Sequence, residues 1–190
     1  MGSGIALSVL VPSVPQRSEL ARDLLSSLWQ QAPTNVEVLA LCDNQRRSIG
    51  RKRNDMLAMA QGDYVTFVDD DDTVTEDYVE SLVGGILHGT DVVTFDVEVT
   101  LNGGKPFPAR YSKDYPESRN LDGLWERLPN HLMAVRRELA VQTGFPDVGV
   151  GEDADYAKRL RPLLRSEHCI GRVLYHYRYS DAVTLTQRGS

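Results

Sequence analysis

Four consecutive carboxylates, Asp69 to Asp72, follow directly after the apolar, β-favouring run of residues 64–68. Two negative charges about 6 Å apart repel by roughly 3 kcal/mol at an effective dielectric of about 20, so a cation must offset the repulsion or the side chains must separate into water. In an extended chain Asp69 and Asp71 share one face, and Asp70 and Asp72 share the other. Carboxylates at this spacing suit a hard divalent cation such as Mg²⁺ or Mn²⁺, which prefers oxygen ligands.

Two other interpretations of the acidic run remain open. A run of like charges is commonly a solvated surface, so it fits an acidic turn before a helix or a loose calcium-binding loop. The position of the run at the end of a predicted core strand favours the metal site.

Alternating strands and helices indicate how the acidic run is positioned. Apolar runs rich in β-branched residues predict the strands, and leucines at helical spacing after a capping Ser18 predict the first helix. Such alternation is typical of a parallel sheet with crossover helices, whose ligands bind beyond the carboxyl ends of the strands. We therefore expect Ser13, Asp43 and the aspartates to converge at one edge. The predicted strands cover residues 5–11, 36–41 and 64–68, and two more helices cover residues 54–60, after a basic stretch at 46–53, and residues 76–87.

The second half of the chain has a less regular pattern. Residues 91–101 and 105–111, separated by a turn at Asn102-Gly103-Gly104, predict a hairpin. Residues 112–129 predict a loop-rich excursion. The remaining predicted elements are a strand at 131–136, a helix at 137–142, a helix beginning near 151 and a strand at 172–179. Leu28 and Trp29 of the first helix are predicted to be core.

Composition places the chain among ordinary globular proteins. Its 190 residues fit one domain, and a formal charge of −6 argues against a protein that binds phosphate backbones, without excluding a local basic cleft. Cys42 and Cys169 lack a framework spacing and are predicted to be reduced, small hydrophobic residues. No apolar run approaches the roughly 18 residues of a membrane span and no signal peptide is present, so we expect a cytoplasmic protein. The predicted division is a tag remnant (1–4) and one catalytic domain (5–190), made of a donor half (5–100), an acceptor-side half (101–180) and a tail (181–190).

Several of these segments carry a family resemblance. Gly50-Arg51-Lys52-Arg53-Asn54 and the segment GDYVTFVDDDD at residues 62–72 resemble the donor site of the family 2 glycosyltransferases of GT-A fold. The opening strand LSVLVPS, the segment NHLMAVRR at residues 130–137 and the segment GEDADY at residues 151–156 are similar to further motifs of that family. The resemblance covers nearly the whole chain in family order. It implies an α/β fold with a mixed, mostly parallel central sheet flanked by helices, and a small β-hairpin subregion on the acceptor side.

The resemblance also implies roles for individual residues. Asp71 would be the direct ligand of Mn²⁺ or Mg²⁺, helped by Asp69, and Asp153 would be the general base that takes the proton of the acceptor hydroxyl. Glu152 would orient the acceptor. Predicted contacts to the nucleotide-diphosphate sugar donor come from Ser13, Asp43, Arg51 or Arg53, Asp69 and Asp70.

Four further candidates come from their position in the chain. His176 is a possible metal or diphosphate contact, although a packed aromatic strand explains it equally, and Arg178 either pairs with diphosphate or flanks that strand. His131 is a candidate acceptor contact or a satisfied half-buried histidine. Trp125 is a candidate for stacking on a sugar. For Asp153 the alternative is an ordinary acidic residue in a helix first turn, which complements the helix dipole.

Together these features predict an inverting, metal-dependent transfer of a sugar to an acceptor hydroxyl. The sequence departs from the family's pattern at Val14-Pro15 and at residues 44–47. In the family both places contact the base and ribose, so the identity of the nucleotide stays open. A nucleotidyltransferase that makes nucleotide sugars is an alternative, but residues 12–17 lack the glycine-rich loop it normally needs. The second alternative is a non-catalytic module that binds a nucleotide or a sugar. The acceptor is a glycan, a lipid-linked sugar, a protein or a modified DNA base.

Overall fold

A computed structural model describes residues 4–181 of the chain. Residues 1–3 and 182–190, which hold most of the predicted tag remnant and tail, lie outside the described residues. The strands are β1 (Leu7–Ser13), β2 (Val36–Cys42), β3 (Tyr64–Phe67), β4 (Thr73–Val74), β5 (Val92–Leu101), β6 (Phe107–Tyr111), β7 (Arg119–Leu121), β8 (Leu124–Arg127), β9 (Ala134–Arg136) and β10 (Glu167–Tyr179). The helices are α1 (Ser18–Gln31), α2 (Ile49–Met59), α3 (Tyr78–Ile86), α4 (Arg137–Thr143) and α5 (Glu152–Leu160).

The predicted α/β fold is confirmed, with one mixed sheet in the order β2-β1-β3-β9-β5-β6-β8-β7. The first three strands are parallel, and every residue of the central strand β1 is buried. A strand covered on both faces needs a nearly continuous apolar sequence, which explains the run at residues 7–11. Ser18 is not the cap of α1, since it is the first helical residue and no side chain caps that helix. Ser48 caps α2 instead, its side chain accepting a hydrogen bond from the backbone N–H of Arg51.

The second half of the chain extends the sheet with antiparallel pairs. Strand β9 joins β3 to β5, and β5 forms the predicted hairpin with β6. The last strand, β10, is parallel to β5 and begins at Glu167, five residues before the predicted start. The predicted loop-rich excursion is wrong, because residues 119–127 form the β7–β8 hairpin, whose second strand is parallel to β6.

Three side chains differ from their predicted environments. Leu28 is fully buried as predicted, but Trp29 is 60% exposed because one helical residue turns the side chain by about 100° away from the core. Cys42 and Cys169 are free, as predicted, but both are exposed and do not act as small core residues. Within residues 4–181 no helix has the length and apolar character needed to cross a membrane.

Candidate active site

A cleft of about 1030 Å³ opens beyond the carboxyl ends of β1 and β3, and both halves of the chain line it. The predicted edge therefore carries a cavity of the size that small-molecule ligands occupy. The predicted site residues that line the cleft are Ser13, Arg53, Asp69, Asp70, Asp71, Trp125, His131, Glu152, Asp153 and Arg178.

Asp69 is held by two cationic or polar side chains on one wall of the cleft. Its Oδ1 accepts a hydrogen bond from the Arg53 guanidinium at 2.8 Å, and its Oδ2 lies 3.3 Å from Nε2 of His131. Burial disfavours the charged carboxylate, but Arg53 and His131 outweigh it and hold the pKa of Asp69 well below its usual range. Asp69 is therefore an ionised group at neutral pH.

Asp70 and Asp71 share a single counter-ion that the sequence analysis did not predict. Arg17 donates to Oδ1 of Asp70 and to Oδ2 of Asp71, each at 2.8 Å, and the Ser13 hydroxyl donates to Asp70 at 2.7 Å. Burial raises the pKa of Asp71 to about 6; Arg17 opposes the rise, and the neighbouring carboxylates add to it. Asp71 therefore has a shared counter-ion and a raised pKa.

Asp72 turns away from the cleft and is buried. Its carboxylate accepts hydrogen bonds at 2.7 Å from the Tyr175 hydroxyl and from the backbone N–H of Arg178. The backbone N–H of Asp72 donates to the carbonyl of Asp69, so the run forms a turn and the alternation predicted for an extended chain does not hold. Burial raises the pKa of Asp72 well above its usual value. Asp72 thus ties β10 to the acidic turn.

Arg53 links the acidic turn on one side of the cleft to the start of α5 on the other. Its guanidinium, on α2, contacts Asp69 and also donates to Oε1 of Glu152 at 2.6 Å, and the side chain is almost fully buried. Burial opposes the positive charge, but Asp69 and Glu152 outweigh it and raise the pKa of Arg53. Burial raises the pKa of Glu152, although Arg53 opposes this. The position of Glu152 is set by this ion pair and by the start of α5.

Asp153 reaches the cleft from the first turn of α5. The residue before the helix, Gly151, has a φ of 81°, a left-handed conformation that favours glycine. This turn places Glu152 inward and Asp153 at the cleft wall, half-buried. Its Oδ1 accepts a hydrogen bond from the backbone N–H of Ala154 at 2.8 Å, which leaves Oδ2 for a ligand.

The end of β2 carries Asp43 beside the cleft without lining it. Its Oδ1 lies 2.7 Å from Nζ of Lys52, which also donates to the backbone carbonyl of Ser13 at 2.6 Å. Burial opposes ionisation of Asp43, but the Lys52 ammonium outweighs it and lowers the pKa. Lys52 is buried, lines the cleft and joins the ends of β1 and β2, so it belongs to the site although the sequence analysis gave it no role.

Strands β6 and β8 build a further wall of the cleft with aromatic side chains. The Trp125 ring packs edge-on against Phe107 at 5.1 Å between centroids, and the Arg127 guanidinium lies 4.2 Å from the Trp125 ring centre. Trp125, Arg127 and Tyr177 all line the cleft. The aromatic wall is the kind of surface that stacks on sugars or bases.

Besides Asp43, two predicted site residues, Arg51 and His176, do not line the cleft. Arg51 is exposed on α2, whereas the next two residues, Lys52 and Arg53, are buried. The sequence analysis predicted a donor contact from Arg51 or Arg53, and of these two only Arg53 lines the cleft. His176 is also outside the cleft lining, because alternation along β10 turns it away from the side that Tyr177 occupies. Its Nδ1 lies 3.0 Å from Oε1 of Glu98.

The cleft contains carboxylate oxygens that could bind the predicted divalent cation. Asp71 and Asp69 offer carboxylate oxygens to the cleft, the ligand type that Mn²⁺ and Mg²⁺ prefer, and repulsion within the run would be relieved by a dication. Among residues 4–181 no group of three or more His, Cys, Asp or Glu side chains is arranged to hold a metal. A cation with one or two protein carboxylates that completes its shell with phosphates and water fits this arrangement.

The fold and the cleft define a glycosyltransferase domain of the GT-A type, and comparison with known proteins agrees. The model of the family described as "Glycosyl transferase family 2" matches residues 18–144, so the chain belongs to glycosyl transferase family 2. No curated protein matches the sequence.

Similar solved structures include several of TarS from S. aureus. The crystal structure of TarS 1–349 in complex with UDP-GlcNAc has 18% identity and a TM-score of 0.68, and the match covers 93% of this chain and 59% of that one. TarS 1–349 in complex with UDP has 20% identity and a TM-score of 0.68, covering 92% of this chain and 61% of that one. These likenesses establish the GT-A fold, and the chain spans about three fifths of the length of these relatives.

Proposed function

We propose that the protein transfers a sugar from a nucleoside-diphosphate sugar to an acceptor hydroxyl, with inversion and with a divalent cation. The observation that carries the proposal is one cleft lined by Asp69 and Asp71 from one half of the chain and by Asp153 from the other. The TarS structures with UDP-GlcNAc and UDP support a nucleotide-sugar donor for the same fold.

The donor would occupy the β1–β3 side of the cleft. Asp71, with Asp69, would hold Mn²⁺ or Mg²⁺, which when bound supplies positive charge that stabilises a departing diphosphate. Ser13 and Arg178 lie beside these aspartates at the cleft surface, where they would contact ribose and phosphate. Arg53 holds Asp69 ionised and fixed, so the carboxylate keeps one orientation when the donor binds.

The acceptor would occupy the side formed by α5 and β8. Asp153 would accept the proton of the attacking hydroxyl, and a positioned base of this kind contributes about 10²- to 10⁴-fold in rate. Glu152, fixed by Arg53, positions the helix turn that carries Asp153. Trp125 would stack on the acceptor or on the transferred sugar. A single base on the face opposite the leaving group produces inversion.

The test is a panel of nucleotide sugars with Mn²⁺ or Mg²⁺ and acceptors of the four predicted classes, read out as nucleoside-diphosphate release. Asp153→Asn is expected to lose at least 100-fold in transfer while UDP or GDP binding with Mn²⁺ changes less than twofold. Asp155→Asn is the matched control, because Asp155 lies on the same helix, pairs with Arg159 and does not line the cleft.

Each other outcome has a definite meaning. Normal transfer by Asp153→Asn would remove Asp153 from the role of base. Conversion of a nucleotide sugar and added pyrophosphate into nucleoside triphosphate and sugar phosphate would indicate a nucleotidyltransferase instead, and nucleotide binding without turnover would indicate a non-catalytic module. NMR of the product's anomeric proton checks inversion, and retention would contradict a single displacement.

A further inference from the structure

Arg17 places a positive charge of the protein's own between Asp71, the proposed cation ligand, and the neighbouring Asp70. Its two terminal nitrogens lie 2.8 Å from Asp70 and 2.8 Å from Asp71, and the arginine side chain is only 13% exposed. Arg17 ends the single turn of residues 15–17 and lines the cleft, and its backbone N–H donates to the carbonyl of Val14. The ion pair is therefore a built part of the cleft wall.

A guanidinium and a divalent cation cannot both use the same carboxylate without strong mutual repulsion. The oxygen of Asp71 that faces Arg17 is a ligand position that the cation would take. Because the site is largely shielded from water, repulsion between the two positive charges is screened less than at an open surface. Binding of one therefore opposes binding of the other.

We infer that Arg17 is a resident counter-ion that competes with the divalent cation and must leave Asp71 before the cation binds there. The inference rests on the proposed function, because it takes Asp71 as the cation ligand. The released guanidinium faces the same cleft, where donor phosphates replace the negative charge that it loses. Arg17 would thus favour binding of the cation together with the donor over binding of the cation alone.

Binding of Mn²⁺ alone, followed by the EPR signal of free Mn²⁺ at pH 7.5, tests the inference without any sugar transfer. Arg17→Gln is expected to bind Mn²⁺ at least tenfold more tightly than the wild type. Arg22→Gln removes the same charge from the exposed face of α1, where Arg22 pairs with Asp23, and is expected to stay within twofold of the wild type.

A second variant protects the test against misfolding. Arg17→Lys keeps one positive charge but cannot form two parallel contacts, so it is expected to bind Mn²⁺ more tightly than the wild type and less tightly than Arg17→Gln. Mn²⁺ is also expected to raise the Tm of Arg17→Gln more than that of the wild type, because a ligand that binds the folded state more tightly stabilises it more.

Equal Mn²⁺ affinity in the wild type and the folded Arg17 variants, including no measurable binding in any of them, would overturn the inference. If that result came with normal sugar transfer by the wild type, the inference would fall and the proposed function would stand. If Arg17→Gln bound Mn²⁺ tenfold more tightly but the wild type released no nucleoside diphosphate from any donor, the competition between Arg17 and the cation would be supported. The proposed transferase function would then be contradicted.

Discussion

The buried guanidinium of Arg53 offers a sharp test of how the two sides of the cleft are joined. Arg53 is 3% exposed and contacts Asp69 and Glu152 at 2.8 and 2.6 Å. Arg53→Met keeps a long side chain of related volume but removes the charge and the donors. Two carboxylates that were paired are then left inside the wall without a counter-charge.

The expected loss of stability follows from the burial of those carboxylates. Removing one partner of a buried ion pair costs about 3 to 5 kcal/mol, since the other charge stays buried and uncompensated. The side chain of Glu152 is 7% exposed and that of Asp69 is 26% exposed, so most of the loss comes from the Glu152 end. We expect about 4 kcal/mol lower free energy of unfolding at pH 7.5 in urea. The exposed neighbour provides a matched control, and Arg51→Met is expected to change stability by less than about 0.5 kcal/mol.

The pH dependence of the deficit gives an independent check. In the wild type the lowered pKa of Asp69 contributes stability above its unfolded pKa, and this contribution is lost as pH falls through the folded value. Without Arg53, burial raises the pKa of both carboxylates. Their contribution is then present below the unfolded pKa and lost as pH rises, so the deficit of Arg53→Met is expected to be larger at pH 8 than at pH 5. A deficit below about 1 kcal/mol, or one equal at the two pH values, would refute the reasoning.

Two further predictions concern Asp71 and the start of α2. The pKa of Asp71 is raised to about 6, so its contribution to stability is present below its unfolded pKa and lost as pH rises through 6. Asp71→Asn is therefore expected to be more stable than the wild type at pH 8 by about 1 to 2 kcal/mol in urea, less than the full pKa shift implies because Arg17 loses a partner; equal stability would contradict this. A Cβ at Gly50 would lie 1.8 Å from the carbonyl oxygen of Pro146, so Gly50→Ala is expected to lose about 2 kcal/mol or more. Gly84→Ala, on α3 where a Cβ meets nothing within 4 Å, is the control and is expected to be neutral or stabilising.

Much of the fold followed from local sequence patterns. The parallel strands β1 and β3 were predicted because burial on both faces demands apolar runs, and every residue of each is buried. The β7–β8 hairpin was missed because β7, Arg119–Leu121, is exposed at every position and so lacks the alternation of a half-buried strand. Trp29 was predicted to be core, but it is exposed because its position on the helix decides its burial.

The site was predictable only where neighbouring residues carried its signal. The acidic run and the Glu152-Asp153 pair stand out as local motifs at the ends of elements. Arg17 lies 53 residues before Asp70, and their contact depends on the turn that precedes α1. Lys52 was hidden among four other basic residues of the stretch 46–53, and helical spacing alone did not show that it and Arg53 are the inward-facing pair.

The four aspartates are tolerated because each contacts a cation or hydrogen-bond donors, with Asp70 and Asp71 sharing Arg17, and this bears on where a dication would act. Asp69 accepts a hydrogen bond from Arg53, and Asp70 accepts hydrogen bonds from Ser13 and from one terminal nitrogen of Arg17. Asp72 contacts neutral hydrogen-bond donors and, within the described residues, no cation. None of the four is exposed, so the expectation that an unpaired run would separate into water does not apply. Asp71 contacts the second terminal nitrogen of the Arg17 guanidinium, and its pKa is raised. Of the three carboxylates that line the cleft, Asp71 would therefore be stabilised most by an added positive charge. A dication would thus bind mainly at Asp71, at the cleft surface, where the phosphates of the donor would complete its coordination shell.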